Sequence, residues 1–199
     1  MRPDEGAVYY RGEDVARGGA NAARIGYVPQ DIALFPDLSV YDNLTFWSLA
    51  NPRHGKSTPA GRPVKERIRD AAGAAGLEGV LRKQVNSLSG GMKRRVNIAA
   101  ALVTEPDVLI MDEPTAGLDV KNRRDILNFI SALARRADGG LAVVCTSHQS
   151  GELETISDRL LLLHKGKSVF DGPPSSVFSG RFASYQNIDD ILYSLGSGI

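Results

Sequence analysis

The sequence lacks several things that would fix its class early. It has one cysteine, Cys145, so no disulfide can form within the chain, and a reducing compartment is expected. That cysteine lies in the apolar run "LAVVCTS" (141–147) and reads as a buried structural thiol. No stretch approaches the roughly 18 consecutive apolar residues of a membrane-spanning helix. The opening "MRPDEGAVYY" lacks the apolar centre of a secretory signal. Nor does one charge dominate: 24 Lys and Arg stand against 23 Asp and Glu, a formal net charge of +1. No nucleic-acid partner is therefore expected, and Lys93-Arg94-Arg95 and Arg135-Arg136 read as solvated helix faces. What is present suits a globular fold. With 199 residues, 42 % apolar and 24 % charged, the chain can bury one core plus a small subdomain.

Periodicity divides the chain. "GAVYYRGEDV" (6–15) reads as an exposed-edge or antiparallel strand between glycines, and "RIGYVPQD" (24–31) as a short strand stopped by Pro29. Helical spacing then takes over, with "SVYDNLTFWSLA" starting at a candidate N-cap, Ser39. A loop rich in Pro, Gly and Ser (51–63) follows, and a second helix is predicted over 64–81. Beyond "SGG" (89–91), helices alternate with apolar strands at 107–112 and 141–147, which predicts a parallel sheet covered on both faces. A short helix near 150–157 precedes two strands, 159–166 and 167–172, joined at Lys165-Gly166. The polar tail from Pro173 holds one amphipathic stretch, 188–195.

Two motifs carry chemistry. "VLIMDEP" delivers Asp112 and Glu113 to the carboxyl edge of a parallel sheet, where ligands bind in open α/β folds. One acid can help hold Mg²⁺ while the other orients or deprotonates a water. In "LSGGM", Ser89, Gly90 and Gly91 stand where a helix starts, with backbone N–H groups lacking intrahelical partners and a dipole that favours an anion.

"LSGGMKRRVNIAAALVTEPDVLIMDEPTAGLD" (88–119) resembles the ATP-binding cassette (ABC) ATPases, covering their signature motif, Walker B strand and D-loop in order. "IGYVPQD" is similar to their Q-loop, with Gln30, and "TSH" to their switch histidine, His148. The resemblance implies a P-loop NTPase-like α/β core sheet with an inserted helical subdomain. It also implies a head-to-tail pair of cassettes sandwiching ATP. Ser89, Gly90 and Gly91 would touch a γ-phosphate held mainly by the second cassette. Asp112 would help position Mg²⁺, Glu113 would act on the attacking water and His148 would contact the γ-phosphate. Gln30 would reach metal and water and sense a transmembrane permease subunit, and Asp119 would run along the dimer seam. A cytoplasmic protein, peripheral on the inner face of the cell membrane, is implied.

The chain departs from the family in one respect. A phosphate loop, G-x-x-x-x-G-K-[ST], should precede the Q-loop. "GKS" at 55–57 fails as that loop: Ala50 stands where its first glycine belongs, no strand precedes it, and it follows Gln30. The expectation is thus a cassette missing its first core strand and phosphate loop, inactive alone, from a start assigned too late or a fragment. The expected organisation is an N-terminal β segment with Q-loop (1–34), a helical subdomain ending in the signature motif (35–90), an α/β core (91–172) and a helical tail (173–199). The functional expectation is the ATPase subunit of a transporter, an exporter by the likeness of "GGMKRRVNIA" to efflux cassettes. The alternative is a non-hydrolysing subunit that lends its signature motif to a partner; the intact Asp112-Glu113 pair speaks against it. A soluble DNA-repair or translation protein of this family is disfavoured, because the interval from Gln30 to Ser89 cannot hold a long coiled coil.

Overall fold

The computed structural model describes residues 4–15, 24–50, 62–135, 141–147 and 149–197. They fall into two compact units, Met1–Thr146 and Ser147–Ile199.

In the first unit, β1 (Tyr9–Tyr10) and β2 (Glu13–Asp14) form a tight antiparallel hairpin. Its turn is Arg11-Gly12, both with φ positive, at 50° and 81°. A three-stranded parallel sheet follows, in the order β3 (Ile25–Val28), β4 (Val108–Met111), β5 (Ala142–Cys145). Parallel neighbours need crossovers. Between β3 and β4 the chain makes α1 (Val40–Ala50), α2 (Val64–Ala75) and α3 (Gly90–Leu102); between β4 and β5 it makes α4 (Val120–Ala134).

Register places Gly26, Leu109 and Val143 in one row, and Val28, Met111 and Cys145 in another on the same face. Val28, Leu109 and Met111 there are fully buried, with α3 packed on β3 and α4 on β5. The alternate residues Tyr27 and Val144 are 57 % and 51 % exposed, so burial on this sheet is one-sided where two covered faces were expected. The physical reason is pleating: with burial concentrated on one face, every second side chain points away from it. Burial of Cys145 nonetheless pushes its thiol up to about 11, as suits an inert group.

Helices α1, α2 and α3 pack on one another, and Val40, Leu44, Ile68, Ala72 and Ile98 on them are buried, as are Leu77 and Val85 in the connection between α2 and α3. Ser39 caps α1, its Oγ accepting from the Asp42 N–H at 3.0 Å. Buried Asn43 stitches the entry to α1, accepting from the Phe35 N–H at 2.8 Å and donating to the Phe35 carbonyl at 3.0 Å. The helix predicted over 64–81 ends at Ala75. Gly76 adopts φ 65°, and the Leu77 N–H turns back to the Ala72 carbonyl at 2.9 Å, a glycine C-cap.

The second unit holds α5 (Ser150–Ile156), the hairpin β6 (Leu160–His164) and β7 (Lys167–Gly172), and α6 (Ile188–Ser197). Leu160, Leu162, Val177, Phe182, Ile188 and Ile191 form its core. The hairpin turn is Lys165-Gly166, at φ 48° and 74°. Gly166-Lys167-Ser168 is a second Gly-Lys-Ser in the chain. It belongs to this turn and to β7, and Leu161 stands where a phosphate loop would need its first glycine. No described helix is long and apolar enough to cross a membrane.

Candidate functional site

The carboxyl edge of the sheet gathers the acids. β4 ends at Met111, and the backbone stays laddered one step further: the Asp112 N–H donates to the Val28 carbonyl at 2.9 Å and the Thr146 N–H to the Met111 carbonyl at 3.0 Å. Thr146, just past β5, then uses its hydroxyl twice. It donates to Asp112 Oδ1 at 2.6 Å and accepts from the Glu113 N–H at 3.0 Å. Glu113 sits at φ 42°, a left-handed conformation that is costly for a residue with a side chain and is concentrated at functional sites. Gln30 completes the group, donating from Nε2 to Glu113 Oε2 at 3.2 Å. The two acids thus take different partners.

This donor set is all oxygen: the Asp112 carboxylate, the Gln30 amide and the Thr146 hydroxyl. It suits a hard cation such as Mg²⁺, which takes one or two carboxylates and leaves its remaining positions to water and phosphate oxygens. No group of three or more His, Cys, Asp or Glu is arranged as a metal cage among the described residues. A shared protein–phosphate site needs none.

The second group lies where α3 and α4 begin. Ser89 caps α3, Oγ accepting from the Met92 N–H at 3.3 Å. Asp119 caps α4, accepting from the Asn122 N–H at 2.9 Å and from its Nδ2 at 2.6 Å. Those bonds, the backbone one first, hold the Asp119 carboxyl below the usual carboxylate range. The two helix starts meet at Gly91, where an added Cβ would lie 2.4 Å from Asn122 Oδ1 and 2.9 Å from its Cγ. Gly91 is therefore required by packing against α4, and it is buried. The absence of a side chain at Gly91 thus serves the packing of the two helix starts. Ser89 and Gly90 remain exposed, and a Cβ on Gly90 would meet only Leu118 Cδ2 at 3.8 Å.

His148 and the Gly55-Lys56-Ser57 tripeptide lie outside the described residues. Thr146 was missed by sequence reasoning, although it stands in the "TSH" that marked His148. Arg94 was read as solvated and is 4 % exposed. It faces inward and donates from its guanidinium to the Pro29 carbonyl at 3.0 Å and the Gln30 carbonyl at 2.6 Å. Arg95, its neighbour, reaches the Ala75 carbonyl at 3.2 Å and stacks over the Phe129 ring at 5.2 Å.

Comparison with known proteins bears on the family and the fold. The family described as ABC transporter matches residues 1–116. The linearmycin resistance ATP-binding protein LnrL of Bacillus subtilis is 35 % identical over 178 residues, which is 88 % of this chain and 54 % of LnrL. The molybdate/tungstate import ATP-binding protein WtpC of Pyrococcus horikoshii is 32 % identical over 197 residues, 94 % of this chain and 54 % of WtpC. The chain thus spans about half the length of these relatives. The solved structure of cbiO1 from Clostridium perfringens, part of the ABC transporter complex cbiONQ, superposes with a TM-score of 0.75 at 27 % identity, covering 99 % of this chain and 76 % of that one. With its motifs in order on a matching α/β fold, and more than half its length under the family's own pattern, this chain belongs to the ABC transporter family.

Proposed function

We propose that this chain is part of an ATP-binding and ATP-hydrolysing subunit that powers transport through a separate permease. The observation that carries the reading is the convergence of Gln30, Asp112 and Glu113, with Gln30 and Glu113 in hydrogen-bond contact although 83 residues apart in sequence. Glu113 orients or deprotonates the attacking water, and Gln30 holds its carboxylate to that task. Asp112, steadied by Thr146, would hold Mg²⁺ with Gln30. The ion, when bound, supplies positive charge against the phosphates. His148 would add a contact to the γ-phosphate, as the family resemblance implies.

The partners follow from surfaces. Ser89 and Gly90, exposed at the start of α3, suit the phosphates of a nucleotide held by a second cassette. Ile32, Phe35, Leu38, Tyr41, Phe46 and Leu49 are each between 39 % and 62 % exposed on α1 and the loop after Gln30. Such an apolar patch suits docking of a permease at the membrane's inner face. Export is favoured by "GGMKRRVNIA" together with the likeness to LnrL, whose name is one of resistance.

The test is Glu113→Gln in the protein as its own cell produces it. Phosphate release should fall at least about a hundredfold with ATP still bound. An unchanged rate would remove Glu113 from the chemistry and sink the reading.

A further inference from the structure

One face of α3 is built in a way that stability alone does not call for. Arg94 forks onto two consecutive carbonyls, Pro29 at 3.0 Å and Gln30 at 2.6 Å. Asn97, one turn on, accepts from the Ala33 N–H at 3.2 Å and stands 3.5 Å from the Asp31 carbonyl through Nδ2. Both side chains are 4 % exposed. Four backbone groups of the loop 29–33 are thus gripped by two residues of the signature helix. Burying a guanidinium against neutral carbonyls is expensive. Desolvation holds the Arg94 pKa below its ordinary value, with the charge of Asp31 opposing. An apolar residue would pack α3 against the core without that cost. What only the planar fork supplies is a fixed grip on two successive peptide groups. The gripped loop carries Gln30, whose side chain ends 3.2 Å from Glu113 Oε2.

We propose that Arg94 and Asn97 are positioning residues: they set where Gln30 stands against Glu113, so that a shift of the signature helix is passed to the hydrolytic acid. The inference rests on Glu113 having the role assigned above, while the grip itself is testable without it.

Arg94→Lys keeps the charge and removes the fork. In the native protein it should lower kcat for ATP about tenfold and leave KM within about twofold. Gln30→Ala should lower kcat as well, and adding Arg94→Lys to it should change nothing further, because the two act in series. Effects that multiply in the double variant would overturn the proposal. Arg95→Lys, on the same helix but bonded to Ala75, is the control and should leave kcat alone. Hydrogen exchange gives the second readout: the Ala33 amide should exchange roughly tenfold faster in Arg94→Lys, relative to the amides of α3. Asn97→Ala serves if Arg94→Lys folds poorly, with the same loss of kcat and the same non-additivity expected. Should the native protein show no hydrolysis, the functional reading fails. An unchanged Ala33 amide in Arg94→Lys would then overturn the grip, and a faster one would sustain it.

Discussion

Asp107 and Asp112 bracket the same strand, β4, and they are treated in opposite ways. Asp107, at the amino end, is enclosed by the Tyr10 hydroxyl, the Arg24 guanidinium and Arg11, the last at 3.1 Å. Its N–H and carbonyl are also spoken for, by Arg24 at 2.8 Å and Ala142 at 2.8 Å. Asp112, at the carboxyl end, is steadied by a hydroxyl from Thr146, and Glu113 beside it by the amide of Gln30. Cations surround the first carboxylate, whereas a hydroxyl donates to Asp112 and a side-chain amide to Glu113. One end of the strand is a fastening, and the other is where the proposed chemistry lies.

The contrast can be broken from either side. The largest effect is expected for Asp112→Asn, which should reduce ATP hydrolysis by the native protein at least about a hundredfold and move its melting temperature little. A hydrolysis rate near that of the parent would mean that both ends of β4 are structural. Asp107→Asn should do the reverse, costing about 2 kcal/mol of stability by denaturant titration while sparing kcat.

Acid sharpens that second prediction. The Arg24 hydrogen bond first, with Tyr10 and Arg11 adding to it, lowers the pKa of Asp107 from its ordinary 3.8. Its stabilisation is therefore complete above 3.8 and is lost as pH falls below that value through the depressed one. Melting curves of the parent should drop more steeply with acid there than those of Asp107→Asn. Equal slopes would show that Asp107 gains nothing from its partners. The smallest effect belongs to the junction of the two helix starts: Gly91→Ala must displace Asn122 and should cost on the order of 1 kcal/mol. A neutral result would mean that α4 yields freely at that point.

Much of this was legible because it is local. The strand β4, the turn at Lys165-Gly166 and the cap at Ser39 are all written within a few residues of where they act. The end of α2 was written locally too, in Gly76, but the helix-compatible "LEGVL" after it masked the stop. Arg94 could not be read that way. A helical wheel shows where a charge points, and only the loop at 29–33, over 60 residues earlier, shows that the direction is inward. Thr146 was hidden for a similar reason: a hydroxyl at a strand end is unremarkable until the neighbouring strand places an acid and a strained backbone against it.

The long span closed by β3 and β4 has a consequence for how the molecule comes into being. Arg24 meets Asp107 across 83 residues of chain, and Tyr10 meets it across 97. All of α1, α2 and α3 is made in between, and their mutual contacts are short-range by comparison. On a ribosome the helices can assemble while β4 is still inside the exit tunnel, and the sheet can then zip against a scaffold already in place. Ribosome-stalled chains long enough for Leu102, but not Met111, to clear the exit tunnel should then protect α1–α3 from protease. Protection that appears only once Thr146 has emerged would show that sheet and helices form together.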